Sequence, residues 1–478
     1  MQLSSLVCNL PEITVSEEWK SVQVTDIVTE SARVKKGSLF VALKGMCDDG
    51  NRYAAEAERL GACAILSDER IQTRLPFVLV SDARKALSLI ASEFYGNPSR
   101  QLKLVGVTGT NGKTTVTYML SSIFRAARKK VGVIGTLGAA WGNQRRETSL
   151  TTPDPLAFEQ ILSEMVKDGV TYCFAEISAH ALYWEKEYGC RYAAAIFTNL
   201  TRDHLDFFGS MENYALAKQK LFCERDCGRY IVNADDEYGR KLLKKNVPVL
   251  TYALDSPSDC FAITLQEGVD GSRVLFNLED DLCEANLRLL GEHNVSNALA
   301  AASYAHSEGI SLENIADGLS ALKGVEGRLD KAGEVNGAAI FIDFAHTPDG
   351  LQKCLSALRR VCKNKLYCLF GCGGNRDSGK RPVMGDTASL YADGVILTSD
   401  NPRYEDPLDI IREIEKGIPE SRPHVAIEDR AEAIAYAVSL LKKGDILLIA
   451  GKGAEKYQEC MGIKREYSDY NVIKRILS

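Results

Sequence analysis

Lys103-Leu104-Val105-Gly106-Val107-Thr108-Gly109-Thr110-Asn111-Gly112-Lys113-Thr114-Thr115 reads as an apolar strand, a glycine-rich turn and the start of a helix that continues through Val116-Thr117-Tyr118-Met119-Leu120. Glycines let successive backbone N–H groups converge on phosphate oxygens, and the helix N-terminus adds a partial positive charge. In such a loop Lys113 reaches the β- and γ-phosphates of a nucleotide and the Thr114 hydroxyl meets Mg²⁺. The strict spacing GxxxxGK[ST] is not met, because Val107 stands where the first glycine belongs. The competing reading is a glycine-rich connector with a surface lysine. The strand before, the helix after and the GKTT run within favour a phosphate cradle.

Outward from this loop the same unit recurs. Strands are expected at Tyr172 to Ala175, Ala193 to Thr198 and Tyr230 to Asn233, and alternation of strands with helices implies a parallel sheet covered on both faces. Upstream, Ser38 to Leu43, Ala62 to Leu66 and Phe77 to Val80 read as strands, with helices at Tyr53 to Leu60 and Ala83 to Tyr95. Asn97-Pro98 then breaks the chain, since proline disfavours helix in the residue before it. Residues 250–290 read as consecutive strands forming an antiparallel insertion. A helical region from Asn294 to Leu322 runs to Gly327-Arg328, a second boundary. The last third alternates again, with AIFIDFAH, LYCLFGCGG, GVILTSDNP and DILLIAGKG each a strand entering a turn. Ligands in open parallel sheets sit at such carboxyl ends. Gly371-x-Gly373 is no dinucleotide motif, because Arg376 occupies the third glycine position. The expected fold is α/β in three domains. A central P-loop-type parallel-sheet ATPase domain (99–328) is flanked by an N-terminal α/β domain (1–98) and a C-terminal Rossmann-like α/β domain (329–478).

Composition narrows the function classes. The 478 residues carry 58 Lys and Arg against 64 Asp and Glu, a net charge of −6, which argues against a general nucleic-acid binder. No apolar run approaches the roughly 20 residues that span a bilayer. The opening MQLSSLVCNLPE has neither a basic start nor a long apolar stretch, so a cytoplasmic location is expected. The 14 cysteines are scattered without a CxxC pair. Cys63, Cys173 and Cys368 fall inside apolar runs, as buried thiols in a reducing compartment do.

The spelling GTNGKTT resembles the Mur ligases, which build the peptide of the bacterial cell wall. The resemblance extends through Thr151-Thr152-Pro153-Asp154, Glu176-Ile177-Ser178-Ala179-His180, Thr198 to Asp206 and His293 to Asn297. It continues through Gly327-Arg328, Asp343 to Asp349, Gly371 to Asp377, Asp400-Asn401-Pro402-Arg403 and Gly451-Lys452-Gly453. It implies an ATP-dependent ligase that phosphorylates the side-chain carboxylate of D-glutamate in UDP-N-acetylmuramoyl-L-alanyl-D-glutamate. An amine, meso-diaminopimelate, then attacks the acyl phosphate. A monomer is expected, without nucleic-acid partner or membrane insertion.

The resemblance also assigns roles. Gly109, Thr110, Asn111, Gly112, Lys113, Thr114 and Thr115 would hold ATP phosphates, and Asn297, Arg328, Asp343 and His346 the rest of the nucleotide. Arg328, at the domain boundary, is expected to reach the phosphates only on domain closure. Lys113, Glu176, His204 and Lys218 would be catalytic. Thr114, Glu176, His204 and Lys218, the last as a carbon dioxide-derived carbamate, would bind Mg²⁺. Without the match, Glu176 reads as an edge carboxylate, His204 as a helix-capping or structural residue, and Lys218 and Lys220 as solvated lysines. Ser31, Thr151, Thr152, Ser178 and Lys186, with the strand-turn Leu39 to Gly45, would contact the uridine-diphosphate sugar and dipeptide. Arg376, Asp400, Asn401, Pro402, Arg403, Gly451 and Glu455 would form the diaminopimelate pocket, with Arg403 gripping the distal carboxylate that lysine lacks. The chain departs from the family's usual residues at Ala32, Ala179, Trp184, Lys186, Phe344 and Ala454. The alternatives are a relative that adds lysine or another amine, one that joins glutamates to a folate, and a non-catalytic nucleotide-binding relative.

Overall fold

A computed structural model describes residues 1–15, 19–45, 48–243 and 247–478. The chain divides into two compact units: 1–108 with 129–195 and 217–230, and 109–128 with 196–216 and 231–478.

The first unit opens with a five-stranded sheet in the order Thr14–Val15, Phe77–Leu79, Ala64–Ser67, Ser38–Val41, Asp26–Val28. Its pairings are parallel except at the Thr14–Val15 edge. Ser38–Val41 and Ala64–Ser67 are buried at every residue, as strands covered on both faces must be. The expected helix at Ala83 is Ala83–Phe94, capped by the Asp82 carboxylate on the Arg84 and Lys85 N–H groups. The same unit holds the parallel strands Lys103–Thr108, Tyr172–Glu176 and Val131–Gly135. Register sets Glu176 opposite Val107, at the carboxyl ends of their strands. Two antiparallel strands, Gly138–Trp141 and Gln144–Arg146, extend this set.

In the second unit the helix Lys113–Ala126 packs against Glu292–Ser307 and Leu312–Ala321, with Phe124 stacked on Tyr304 at 5.9 Å between ring centres. The insertion is antiparallel as expected over Cys260–Gly268, Gly271–Leu278 and Asp281–Leu287. Val249–Ala253, however, joins Cys260–Gly268 in parallel. Six strands follow in the order Asp330–Val335, Ala338–Asp343, Ile446–Ala450, Leu366–Phe370, Gly394–Leu397, His424–Ala426, parallel except for the first. Helices Pro348–Val361, Lys380–Tyr391 and Pro407–Glu415 bury one face. Arg430–Ser439 and Asp469–Leu477 bury the other. A hairpin, Tyr457–Cys460 with Ile463–Glu466, was not foreseen from the sequence.

The described cysteines are all free, and Cys173 and Cys368 are fully buried. Among the described residues no helix is long and apolar enough to cross a membrane.

Candidate active site

The phosphate loop leaves its strand at Thr108 and turns where only glycine fits. Gly112 has φ +89° and a Cβ there would lie 2.3 Å from Asn297 Oδ1; at Gly109 a Cβ would lie 1.9 Å from Thr198 Oγ1. The helix Lys113–Ala126 starts from Gly112 without a side-chain cap. Lys113 Nζ donates to the carbonyls of Gly109 and Thr110, each at 2.9 Å. The loop is braced by the segment after Phe197. The Asn111 N–H donates to Asn199 Oδ1 at 2.9 Å, and the Thr198 hydroxyl donates to the Asn111 carbonyl at 2.6 Å. Asn111 Nδ2 also donates to Asp349 at 3.0 Å. Thr114 and Thr115 are buried.

Arg328 donates to the Thr114 hydroxyl at 2.9 Å. The segment Val325 to Leu329 carries it there, with the Arg328 N–H bonded to the Val325 carbonyl. Its guanidinium lies 4.9 Å over the Phe344 ring, so an apolar ring face suffices at this departure from the family's tyrosine. Asp343 accepts the N–H groups of Leu329 and Ala345, both at 2.6 Å. Burial pushes the pKa of its carboxyl up, against the lowering effect of Arg328 and these bonds. Asp343 thus fixes the backbone on either side of the Arg328–Phe344 contact. Asn297 donates to Asn294 Oδ1 at 3.1 Å.

His204 heads the short helix Leu205–Phe208 with φ +54° and makes no side-chain cap, so the capping alternative fails. Its Nε2 lies 3.4 Å from Asp203 Oδ2, and His346 Nε2 lies 3.9 Å from the same oxygen. Burial works to raise the pKa of the Asp203 carboxyl. The His346 hydrogen bond and the charges of His346, His204 and Lys380 outweigh it and hold this carboxyl well below the usual range. Asp203 was missed in the sequence because its partner His346 lies far along the chain.

In the first unit Glu176 is fully buried. Its Oε1 accepts the Thr136 N–H at 2.9 Å and its Oε2 the Thr136 hydroxyl at 3.1 Å. A Cβ at Gly135 would lie 2.0 Å from Oε1. Thr136 was also unforeseen, and its hydroxyl lies 3.1 Å from that of Thr151. Thr152 donates to the Glu176 carbonyl at 2.8 Å and accepts the Ser178 N–H at 3.0 Å. Ser178 caps Ala179–Tyr183 through the Ala181 N–H. Lys186 pairs with Asp154 at 2.7 Å. Lys218 is buried, and Lys220 is paired with Glu185, so neither is the solvated lysine of the plain reading. Ser31 opens the turn Ser31–Arg33. Arg84 donates to the Lys44 carbonyl in the Leu39 to Gly45 segment and stacks 4.1 Å from the Trp184 ring.

The carboxyl end of the six-stranded sheet gathers the proposed amine-binding residues. Arg403, at φ +52°, donates to the Gly374 carbonyl at 2.8 Å. A Cβ at Gly374 would lie 2.0 Å from the Pro402 carbonyl oxygen, and one at Gly451 would lie 2.5 Å from Asp400 Oδ2. Asn401 donates to Glu455 at 2.8 Å. Lys452, fully buried, donates to both Asn401 Oδ1 and Glu455 at 3.0 Å. Arg376 is more exposed and pairs with Asp206 at 3.8 Å.

Among the described residues no group of three His, Cys, Asp or Glu side chains forms a metal cage. Within the first unit, the braced carboxylate of Glu176 is a donor of the kind Mg²⁺ takes, since that ion prefers oxygen and keeps waters in its shell.

Residues 107–305 match the Mur ligase middle domain, and residues 327–453 match the Mur ligase glutamate ligase domain. The chain is 40% identical over 468 residues to UDP-N-acetylmuramoyl-L-alanyl-D-glutamate–2,6-diaminopimelate ligase of Geobacillus kaustophilus, covering 96% of this chain and 95% of that protein. A solved structure of a ligase of that name superposes with TM-score 0.74 at 30% identity, covering 100% of this chain and 98% of the other. The fold is shared with UDP-N-acetylmuramoylalanyl-D-glutamyl-2,6-diaminopimelate–D-alanyl-D-alanyl ligase of Acinetobacter baumannii, at TM-score 0.62 and 21% identity over 94% of each chain.

Proposed function

This chain belongs to the Mur ligase family, and we propose that it joins meso-diaminopimelate to the D-glutamate of UDP-N-acetylmuramoyl-L-alanyl-D-glutamate at the expense of ATP. The observation that carries this reading is the pairing, within one compact unit, of a glycine-formed phosphate loop with an arginine-bearing turn at Arg403. A non-catalytic nucleotide binder has no use for the second element, and a folate ligase none for an N-terminal uridine-type segment.

The side-chain carboxylate of D-glutamate attacks the γ-phosphorus of ATP, and ADP leaves. The amine then attacks the acyl carbon, inorganic phosphate leaves with the bridging oxygen, and the ammonium proton is lost as the amide forms. Two polyanions must meet, so positioning and charge neutralisation supply most of the rate. Gly109 to Thr115 hold the phosphates through backbone N–H groups, Lys113 and Arg328 add positive charge, and Asn297, Asp343 and His346 complete the nucleotide site. Thr114, Glu176, His204 and Lys218, the last as its carbamate, would hold Mg²⁺, which would supply neutralisation of phosphate charge. The carbamate forms when neutral Lys218 adds carbon dioxide and releases a proton. Thr136 fixes both oxygens of Glu176, which leaves their remaining lone pairs in a set direction.

Residues 1–98 bind the uridine-diphosphate sugar through Ser31, with Thr151, Thr152, Ser178 and Lys186 on the muramoyl dipeptide. Residues 99–328 bind ATP. Residues 329–478 bind the amine through Arg376, Asp400, Asn401, Pro402, Arg403, Gly451 and Glu455. Arg403 selects against lysine, which would leave its guanidinium without the distal carboxylate. We place the protein in the cytoplasm, as a monomer, in peptidoglycan precursor synthesis.

The test is phosphate release from ATP and UDP-muramoyl dipeptide, amine by amine. Release that depends on meso-diaminopimelate supports the reading; release with lysine in preference reassigns the amine; release with none leaves a nucleotide-binding relative.

A further inference from the structure

The segment Phe197 to Thr201 has two sides, and one is bonded to the phosphate loop. The Asn199 carbonyl accepts the Thr110 N–H at 2.8 Å, and Asn199 Oδ1 accepts the Asn111 N–H at 2.9 Å. The Thr198 hydroxyl donates to the Asn111 carbonyl at 2.6 Å, and the Thr201 N–H donates to Thr110 Oγ1 at 3.0 Å. Thr110 and Asn111 lead into the turn at Gly112, so this segment is the mould in which that turn is cast.

The other side of the mould is anchored by residues that do not touch the loop. The Tyr252 hydroxyl donates to the Phe197 carbonyl at 3.1 Å, and Asn233 Nδ2 donates to the Thr198 carbonyl at 2.7 Å, both bonds buried. The third anchor is ionic. The Leu200 N–H donates to Asp236 Oδ2 at 2.8 Å. The other oxygen of the same carboxylate, Oδ1, accepts the Tyr238 and Gly239 N–H groups at 2.8 and 3.1 Å and so caps the short helix Glu237–Lys241. That helix is pressed close, since a Cβ at Gly239 would lie 2.1 Å from the Asn233 carbonyl oxygen.

A helix cap needs one oxygen, and serine or asparagine caps about as well as aspartate. Capping alone therefore does not account for the oxygen spent on Leu200. A hydrogen bond to a carboxylate is also roughly twice as strong as one between neutral groups. We infer that Asp236 is a positioning residue for ATP: through the Leu200 N–H it fixes Thr198, Asn199 and Thr201 against the phosphate loop and so holds the loop in its binding shape. The inference rests on the ATP-dependent reading above and goes beyond it by giving a role to a residue outside the nucleotide site.

The experiment measures ATP affinity with Mg²⁺ by isothermal titration, the Tm, and the KM values for ATP and meso-diaminopimelate in the wild type, Asp236→Ser and Asp236→Ala. Serine keeps the cap but cannot also hold Leu200; alanine loses both. Asp236→Ser weakens ATP binding and raises the KM for ATP by about tenfold, the scale of one hydrogen bond to a charged group, with the KM for the amine within twofold. Asp236→Ala weakens ATP binding by about the same factor, although its Tm falls further because the cap is gone as well. ATP affinity within twofold of wild type in Asp236→Ser overturns the inference. So do affinity losses that follow the Tm from serine to alanine, because Asp236 would then serve only its helix. A wild type that binds no ATP would refute the parent reading, and this inference with it.

Discussion

Substituting Gly112 by alanine tests whether the phosphate loop owes its shape to the absence of one methyl group. Gly112 has φ +89°, and a Cβ would lie 2.3 Å from Asn297 Oδ1. A left-handed backbone costs an L-residue about 1–2 kcal/mol. Turning the Asn297 amide away breaks its 3.1 Å bond to Asn294, a loss of about 1 kcal/mol. The total of about 2–3 kcal/mol is relieved when the loop abandons its binding shape, so ATP affinity falls about 30- to 150-fold. Isothermal titration with ATP and Mg²⁺ on Gly112→Ala, Asn297→Ala and the double variant separates the two contributions. Removing the Asn297 amide relieves only the contact, so the cycle shows a coupling of about 1 kcal/mol and the backbone cost persists. Affinity within twofold of wild type in Gly112→Ala, or strictly additive effects, would refute the argument.

Thr136→Val removes the hydroxyl that Glu176 Oε2 accepts at 3.1 Å. Loss of a hydrogen bond to a buried carboxylate, about 1.5–3 kcal/mol, lowers kcat by about 10- to 150-fold in the phosphate-release assay, with the KM for the amine little changed. Phe344→Tyr leaves the KM for ATP within twofold, because Arg328 meets the ring face, whereas Phe344→Leu raises it about 2- to 30-fold through loss of a cation–π contact of about 0.5–2 kcal/mol. Burial pushes the Glu159 carboxyl up to about 7, against hydrogen bonds from Cys190 and Ser92 that lower it. Between pH 4.5 and about 7 the unfolded chain releases this proton while the folded one keeps it. The stabilisation is therefore complete below pH 4.5 and lost as pH rises through 7, by about 3 kcal/mol. Glu159→Gln should flatten denaturant-measured stability across that window and raise it at pH 8.

What was legible in the sequence was what repeats locally. Ser38–Val41, Tyr172–Glu176, Ala338–Asp343 and Ile446–Ala450 are short apolar runs that end in turn residues, and their period and punctuation gave them away. The phosphate loop was legible despite Val107 because a strand, two glycines and GKTT occur in order. The hairpin at Tyr457–Cys460 and Ile463–Glu466 was hidden, because its residues are mostly exposed and show no apolar alternation. Thr136 and Asp203 gave no signal either. Each acts through a partner 40 or more positions away, Glu176 and His346, and no local spacing encodes such a contact. Lys452 looked like part of a glycine turn, and only its burial against Glu455 shows that its charge neutralises the acid expected to bind the amine.

The central claim is that the D-glutamate carboxylate is activated as an acyl phosphate before the amine attacks. The most direct measurement uses UDP-muramoyl dipeptide labelled with ¹⁸O in the glutamate side-chain carboxylate, with ATP, Mg²⁺ and meso-diaminopimelate, and mass analysis of the phosphate released. The account predicts one ¹⁸O atom in each phosphate, carried over from the substrate acid as the bridging oxygen. Unlabelled phosphate accompanying amide formation would contradict it.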